Sequence, residues 1–352
     1  MGNILKAILG AAMIVGATGV LLPNMSSAQD QNAVGPKSLF EAARAPNGVA
    51  ELTLGSAGKS VHIFPIKQRA DTLLRALAAA PTPLLYHSGG QIMPSVTIYT
   101  IFWQPPKLQT GAVAPALTAT YRNLQIRLMT DYPGHGVGNN NTQYYQTVGG
   151  VTSYVKNAGS FGGSYVDASP LPASGCNDSV TPGNCITDAQ IQTEIKKVVA
   201  SKNWHGGPGT IFFLYTVRGE GSCFDSSSTS CAYTAYCAYH GAVSGTTPII
   251  YANMPYGDPA NCQTPGTPSP SGDPAADTAA TSASHELTES ITDPLLNAWF
   301  TAGGAEIGDL CAYNYGTNTW DGAKANQMWS GHFYELQQEY NNHVNMCVQI
   351  GP

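Results

Sequence analysis

Charge is scarce in this chain. Of 352 residues only 16 are Lys or Arg and 22 are Asp or Glu, so 11% of the chain is charged and the net charge is −6. So few cations, spread along the chain, form no stripe that could neutralise a phosphate backbone, which excludes nucleic-acid binding as a function class. No cysteine occurs before Cys176 and no Cys-x-x-Cys pair occurs anywhere, so a cysteine zinc knuckle is disfavoured. No Gly-x-Ser-x-Gly elbow is present, which removes the usual serine-hydrolase nucleophile. The stretch Gly55 to Ser60 imitates a phosphate loop but lacks its spacing. After Leu22 no apolar run reaches the length of about 20 residues that a membrane helix needs.

The chain does begin with an apolar run, Ala7 to Leu22, preceded by Lys6 and followed by Ser26-Ser27-Ala28. That pattern predicts a secretory signal peptide over residues 1–28, and hence a secreted chain of the extracellular space, periplasm or cell wall. Residues 29–83 read as an N-terminal leader, either a propeptide or the first layer of the domain, and 84–352 as a single domain. With 38 Gly and 24 Pro, much of the surface must be loop.

Eight cysteines follow, Cys176, Cys185, Cys223, Cys231, Cys237, Cys262, Cys311 and Cys347. After export the default is four disulfides, and short loop closure favours the sequential pairing 176–185, 223–231, 237–262 and 311–347.

Strands are predicted near 96–103, 163–167, 210–217 and 247–252 from their β-branched and aromatic runs, and helices near 114–131 and 187–201 from apolar spacing. A further helix over 274–292 opens on Asp273-Pro274 and stops at Asp293-Pro294. The expected fold class is α+β, with a twisted mixed sheet, backing helices and a disulfide-rich C-terminal part.

That last helix carries His285-Glu286-x-x-Glu289. Residues four apart lie one turn above each other, so His285 and Glu289 share a face. The better-known zinc helix is His-Glu-x-x-His, whose histidines hold the metal and whose glutamate is the general base. A zinc site on His285 and Glu289 needs a third ligand from elsewhere. Glu306-Ile-Gly-Asp309 offers two carboxylates, of which Asp309 is favoured because Cys311 anchors its backbone, with Glu306 the alternate. Glu286 is then the candidate base. The bland reading has His285 hydrogen-bonded within the fold and the glutamates solvated.

His240 and His332 are candidates for outer-sphere support, although a lone histidine such as His240 or His87 is more often a hydrogen-bonded structural residue.

The string from His285 to Trp299, with Glu306 to Cys311, Tyr313-Asn-Tyr-Gly316, Tyr86-His87-Ser-Gly-Gly, Cys237-Ala-Tyr-His240 and Leu336-Gln-Gln-Glu-Tyr, resembles the EXORDIUM or phosphate-induced protein 1 family of extracellular proteins. That resemblance implies a wall-associated location more than a mechanism. The helix is also similar to that of zincin metallopeptidases, departing at Glu289. Two expectations result: a secreted zinc metallopeptidase-like hydrolase, monomeric and acting on peptide or extracellular matrix; or a non-catalytic wall or matrix protein using the same residues structurally.

Overall fold

The computed structural model describes residues 52–56, 59–79, 83–258, 260–263 and 269–351. The signal peptide expected at 1–28, and residues 29–51 of the leader, lie outside the described residues.

Seven strands build the main sheet: β1 (Thr53–Ser56), β2 (Lys59–Pro65), β3 (Val96–Trp103), β4 (Gly159–Asp167), β5 (Thr210–Thr216), β6 (Tyr236–Val243) and β7 (Ile249–Met254), in the spatial order β1-β2-β6-β7-β5-β3-β4. Pairs β1/β2, β2/β6 and β6/β7 are antiparallel, whereas β7/β5, β5/β3 and β3/β4 are parallel. The parallel half needs crossovers; helices lie in those from β3 to β4 and from β4 to β5, whereas β5 reaches β7 by way of β6.

Four helices of more than two turns accompany the sheet: α1 (Lys67–Ala79), α2 (Ala119–Asp131), α3 (Asp188–Ser201) and α4 (Pro274–Thr292). The mixed α and β architecture with a large mixed sheet is as expected. Helices α2 and α4 pack side by side, α4 against β2, β6 and β7 and α2 against β3 and β4. Helix α3 covers the opposite face, where Asp188 accepts hydrogen bonds from Tyr239 Oη (3.0 Å) and Tyr251 Oη (2.5 Å). Strand alternation therefore turns Tyr239 toward α3 and its neighbour His240 toward α4.

Several boundaries differ from expectation for physical reasons. Helix α2 starts at Ala119 and not near 114, because Thr118 is the cap, its Oγ1 accepting from Tyr121 N at 2.9 Å. Strand β4 starts at Gly159 and not 163. An irregularity in its pairing with β3 falls at Gly162, where an added Cβ would meet the Tyr99 ring at 2.4 Å, so two glycines sit inside the strand. Strand β7 runs 249–254, slightly later than 247–252.

Residues 59–65, within the expected leader, form an interior strand of the sheet between β1 and β6. Val61, Ile63 and Phe64 are buried there.

Helix α4 is capped as its sequence dictates: Asp273 Oδ1 accepts from Ala276 N at 3.1 Å, and Pro274 occupies the first turn. Its Ala-, Ser- and Thr-rich faces let it lie against both the sheet and α2, so nearly every residue is buried. Truncating Leu287, fully buried, to Ala would cost roughly 2–5 kcal/mol.

All eight cysteines pair in the sequential order, Cys176–Cys185, Cys223–Cys231, Cys237–Cys262 and Cys311–Cys347. Four disulfides fit an oxidising compartment. No helix among the described residues is long and apolar enough to cross a membrane.

Candidate metal centre

Three histidines and four carboxylates meet beneath the sheet, all of them buried: His62, His240, His285, Glu286, Glu289, Glu306 and Asp309. Strands β2 and β6 supply two of the imidazoles. His240 is the cross-strand partner of His62, and the ring centroids lie 5.8 Å apart. One turn of α4 supplies His285, Glu286 and Glu289. The loop after α4 supplies Glu306 and Asp309, the latter in a 3-10 turn that ends at the disulfide-bonded Cys311.

His62 faces an acid from each ring nitrogen. Its Nε2 lies 2.7 Å from Asp309 Oδ2 and its Nδ1 3.2 Å from Glu306 Oε1. Burial works against the charged ring, but the charge and hydrogen bond of Asp309, with the charge of Glu289, outweigh it and raise the His62 pKa. Asp309 is held in turn by Glu306 N–H, which donates to its Oδ2 at 2.8 Å, while Asp309 N–H donates to Glu289 Oε1 at 3.2 Å.

His240 and His285 are neutral, the first because burial and the neighbouring histidines push its pKa well below the usual value, the second because burial brings it to about 4. His240 Nδ1 is hydrogen-bonded to Glu286 Oε2 at 3.0 Å, and its Nε2 stands 3.8 Å from Glu306 Oε2. Burial first, and then neighbouring carboxylates, raise Glu286, Glu289 and Glu306 well above the ordinary carboxyl range. Asp293 beside them rises to about 7 from burial, despite accepting from Asn297 N and Ala298 N.

Two sets of three potential ligand atoms lie mutually within 4.8 Å: His62, Glu289 and Asp309, and His240, Glu289 and Glu306. Among the described residues, His240 Nε2, His285 Nε2, Glu286 Oε1, Glu289 Oε2, Glu306 Oε2 and Asp309 Oδ1 have no hydrogen-bond partner. Buried polar atoms are nearly always paired, so this many orphans in one cluster make it a candidate cation site. The donor set fits a divalent first-row metal, which takes imidazole nitrogen and carboxylate oxygen readily.

The expected trio of His285, Glu289 and Asp309 is thus rearranged. Glu289 and Asp309 do converge, but the imidazole that joins them is His62. His285 Nε2 stands 3.0 Å from Glu289 Oε1, out of line for a hydrogen bond, while its Nδ1 receives Gln337 Nε2 at 2.9 Å. Gln337 Nε2 also donates to Gly308 O at 3.0 Å, and a carbonyl only accepts, so the amide is the donor to Nδ1 as well. In this arrangement the proton of a neutral ring sits on Nε2, 3.0 Å from Glu289 Oε1, where it too lacks a hydrogen-bond partner. Gly308 packs so closely on this ring that an added Cβ would meet Nδ1 at 2.5 Å.

His240, expected in an outer role, is a full member of the cluster, as is Glu306. His332 is elsewhere: partly exposed, it pairs with Asp131 of α2 at 2.6 Å. His87 stacks on Phe300 with centroids 3.6 Å apart, a structural role. Sequence spacing missed His62, Gln337 and Asp293. The signal for His62 was a histidine inside the otherwise apolar run Val61 to Phe64, in a chain with only 8 histidines.

Comparison of the chain with protein-family models, with curated proteins and with solved structures finds no match in any of the three.

Proposed function

We propose that the protein is an exported metal-dependent hydrolase acting on peptide or matrix substrates, with its centre on His62, Glu289 and Asp309 and with Glu286 as general base. The observation that carries this reading is the set of buried, unpartnered ligand atoms beside Glu286, whose Oε1 is itself without a partner. A divalent cation bound there, zinc by the donor set, would act as a Lewis acid on a substrate carbonyl. His62 Nε2 and Asp309 Oδ2, 2.7 Å apart, are close enough to share such a cation in place of the hydrogen bond between them. Glu286 Oε2 is held by His240, so Oε1 is left to take the proton from the attacking water and return it to the leaving amine.

A cleft of about 840 Å³ lies at the strand ends, although none of the seven cluster residues lines it. It is lined by Ser60 and Ala242, two residues along β2 and β6 from His62 and His240 and therefore on the same faces, and by Leu295 to Asn297 just beyond Asp293.

Export is supported by the N-terminal apolar run and the four disulfides. The complete burial of the cluster favours a second reading, in which the cation is structural and the chain is an EXORDIUM-like wall or matrix protein. Glu286→Gln separates the two. Gln keeps an acceptor oxygen for His240 but cannot take a proton, so the hydrolase reading requires unchanged metal content with peptide cleavage abolished. Wild-type protein that carries metal but cleaves no peptide library leaves the structural reading, and metal-free protein removes both.

A further inference from the structure

The centre described so far uses one of the two ligand sets. We infer that His240, Glu289 and Glu306 form a second divalent-cation site, so that the protein carries a two-cation centre bridged by Glu289. The inference rests on the reading of the cluster as a metal centre and adds a second ion to it.

Three independent features lead there. The first is the direction of the donors. His240 Nδ1 is taken up by Glu286 Oε2, which leaves Nε2 as the free lone pair, and Nε2 has no partner although it is fully buried. A carboxylate on one nitrogen and a metal on the other is the usual arrangement for a ligating histidine. Glu306 Oε2, 3.8 Å from that nitrogen, is likewise buried and unpartnered.

The second is the placement of Glu289. Its Oε1 lies on the Asp309 side, where it accepts from Asp309 N–H at 3.2 Å. Its Oε2 lies on the His240 side, 3.7 Å from Nδ1, and has no hydrogen bond. Glu289 supplies a ligand atom to both sets, which places it to bridge them, although the His240 nitrogen 3.7 Å from its Oε2 is Nδ1 and not the free Nε2.

The third is charge. Glu286, Glu289, Glu306 and Asp309 would carry four negative charges when ionised, and their ion-pair partners among the described residues are histidines, with no Lys or Arg among them. One divalent ion leaves two charges buried without compensation, a costly state, whereas two ions balance the four.

The test is metal stoichiometry on the purified exported chain. It is loaded with excess zinc chloride, passed through gel filtration and assayed by mass spectrometry for zinc per chain, with circular dichroism to verify folding. The wild type should retain two equivalents, and His240→Ala and Glu306→Gln should each retain one. Should these variants fail to fold, manganese-loaded wild type gives the answer by electron paramagnetic resonance, since two ions sharing a carboxylate show an exchange-coupled spectrum and a lone ion does not. One equivalent in the wild type, unchanged in His240→Ala, or an uncoupled manganese spectrum, overturns the second site while leaving the single-ion centre intact. No retained metal overturns both, and two equivalents without any peptide cleavage removes only the hydrolase.

Discussion

Gln337 Nε2 stands 2.9 Å from His285 Nδ1, and this one contact sets the protonation of a ring that the helix motif alone would make a metal ligand. Because the same amide nitrogen is anchored on Gly308 O, His285 must accept through Nδ1 and carry its proton on Nε2. His285 then stands beside Glu289 as a wall of the cluster, its ring tilted 35° against Phe64 at a centroid distance of 4.3 Å.

Nitrogen-15 NMR of histidine-labelled protein should find His285 neutral at pH 7 with the proton on Nε2. Gln337→Leu should release that preference at a cost of about 0.5–1.5 kcal/mol in stability for the lost hydrogen bond, since Gly308 O keeps the Cys311 N–H at 3.0 Å. A proton on Nδ1 in the wild type would contradict the assignment.

Removing the metal should be measurable as lost stability. A ligand that binds only the folded chain at a thousandfold over its Kd stabilises by about 4 kcal/mol. Dialysis against EDTA is expected to lower Tm by several degrees, and zinc but not sodium should restore it. Identical melting curves before and after chelation would count against any buried cation.

A chain beginning at Leu84 should fail to assemble the sheet. It lacks β2, whose Val61, Ile63 and Phe64 are buried between β1 and β6, and it lacks His62. Expression of 84–352 is expected to give insoluble or metal-free protein, and mass spectrometry of the exported wild type should find residues 59–79 retained. A folded, metal-loaded 84–352 fragment would show that the first strands are dispensable.

Glu220 supplies a pH test away from the centre. It is buried, neither carboxylate oxygen has a partner among the described residues, and burial raises its pKa from 4.5 to about 8. The folded chain therefore favours the protonated form. Its penalty is absent below pH 4.5, grows between 4.5 and about 8, and levels off above, with an upper bound of about 5 kcal/mol. Glu220→Gln should gain stability relative to the wild type across that window, as read from urea midpoints. A constant difference from pH 4 to 9 would refute the shift.

Much of this molecule is legible in the sequence. Strands such as Val96–Trp103 and Thr210–Thr216 announce themselves by composition, α4 by its Asp273-Pro274 start and Asp293-Pro294 stop, and the disulfides by proximity along the chain. Glu289 and Asp309 were reachable because a helix turn and a nearby loop have short-range geometry. His62 was not, since it meets Asp309 only through sheet pairing across 247 residues, and no local periodicity encodes which strand lies beside which. The demotion of His285 was equally hidden, because it depends on an amide arriving 52 residues later.

The insertion of β2 between β1 and β6 also governs timing. His62 emerges from the ribosome long before Glu306 and Asp309 are made, so a nascent chain holds only fragments of the ion-binding set. A cation bound by this set would be captured only once synthesis is nearly finished and the first strand has been enclosed by later ones, so it would come from the compartment in which the chain completes its fold.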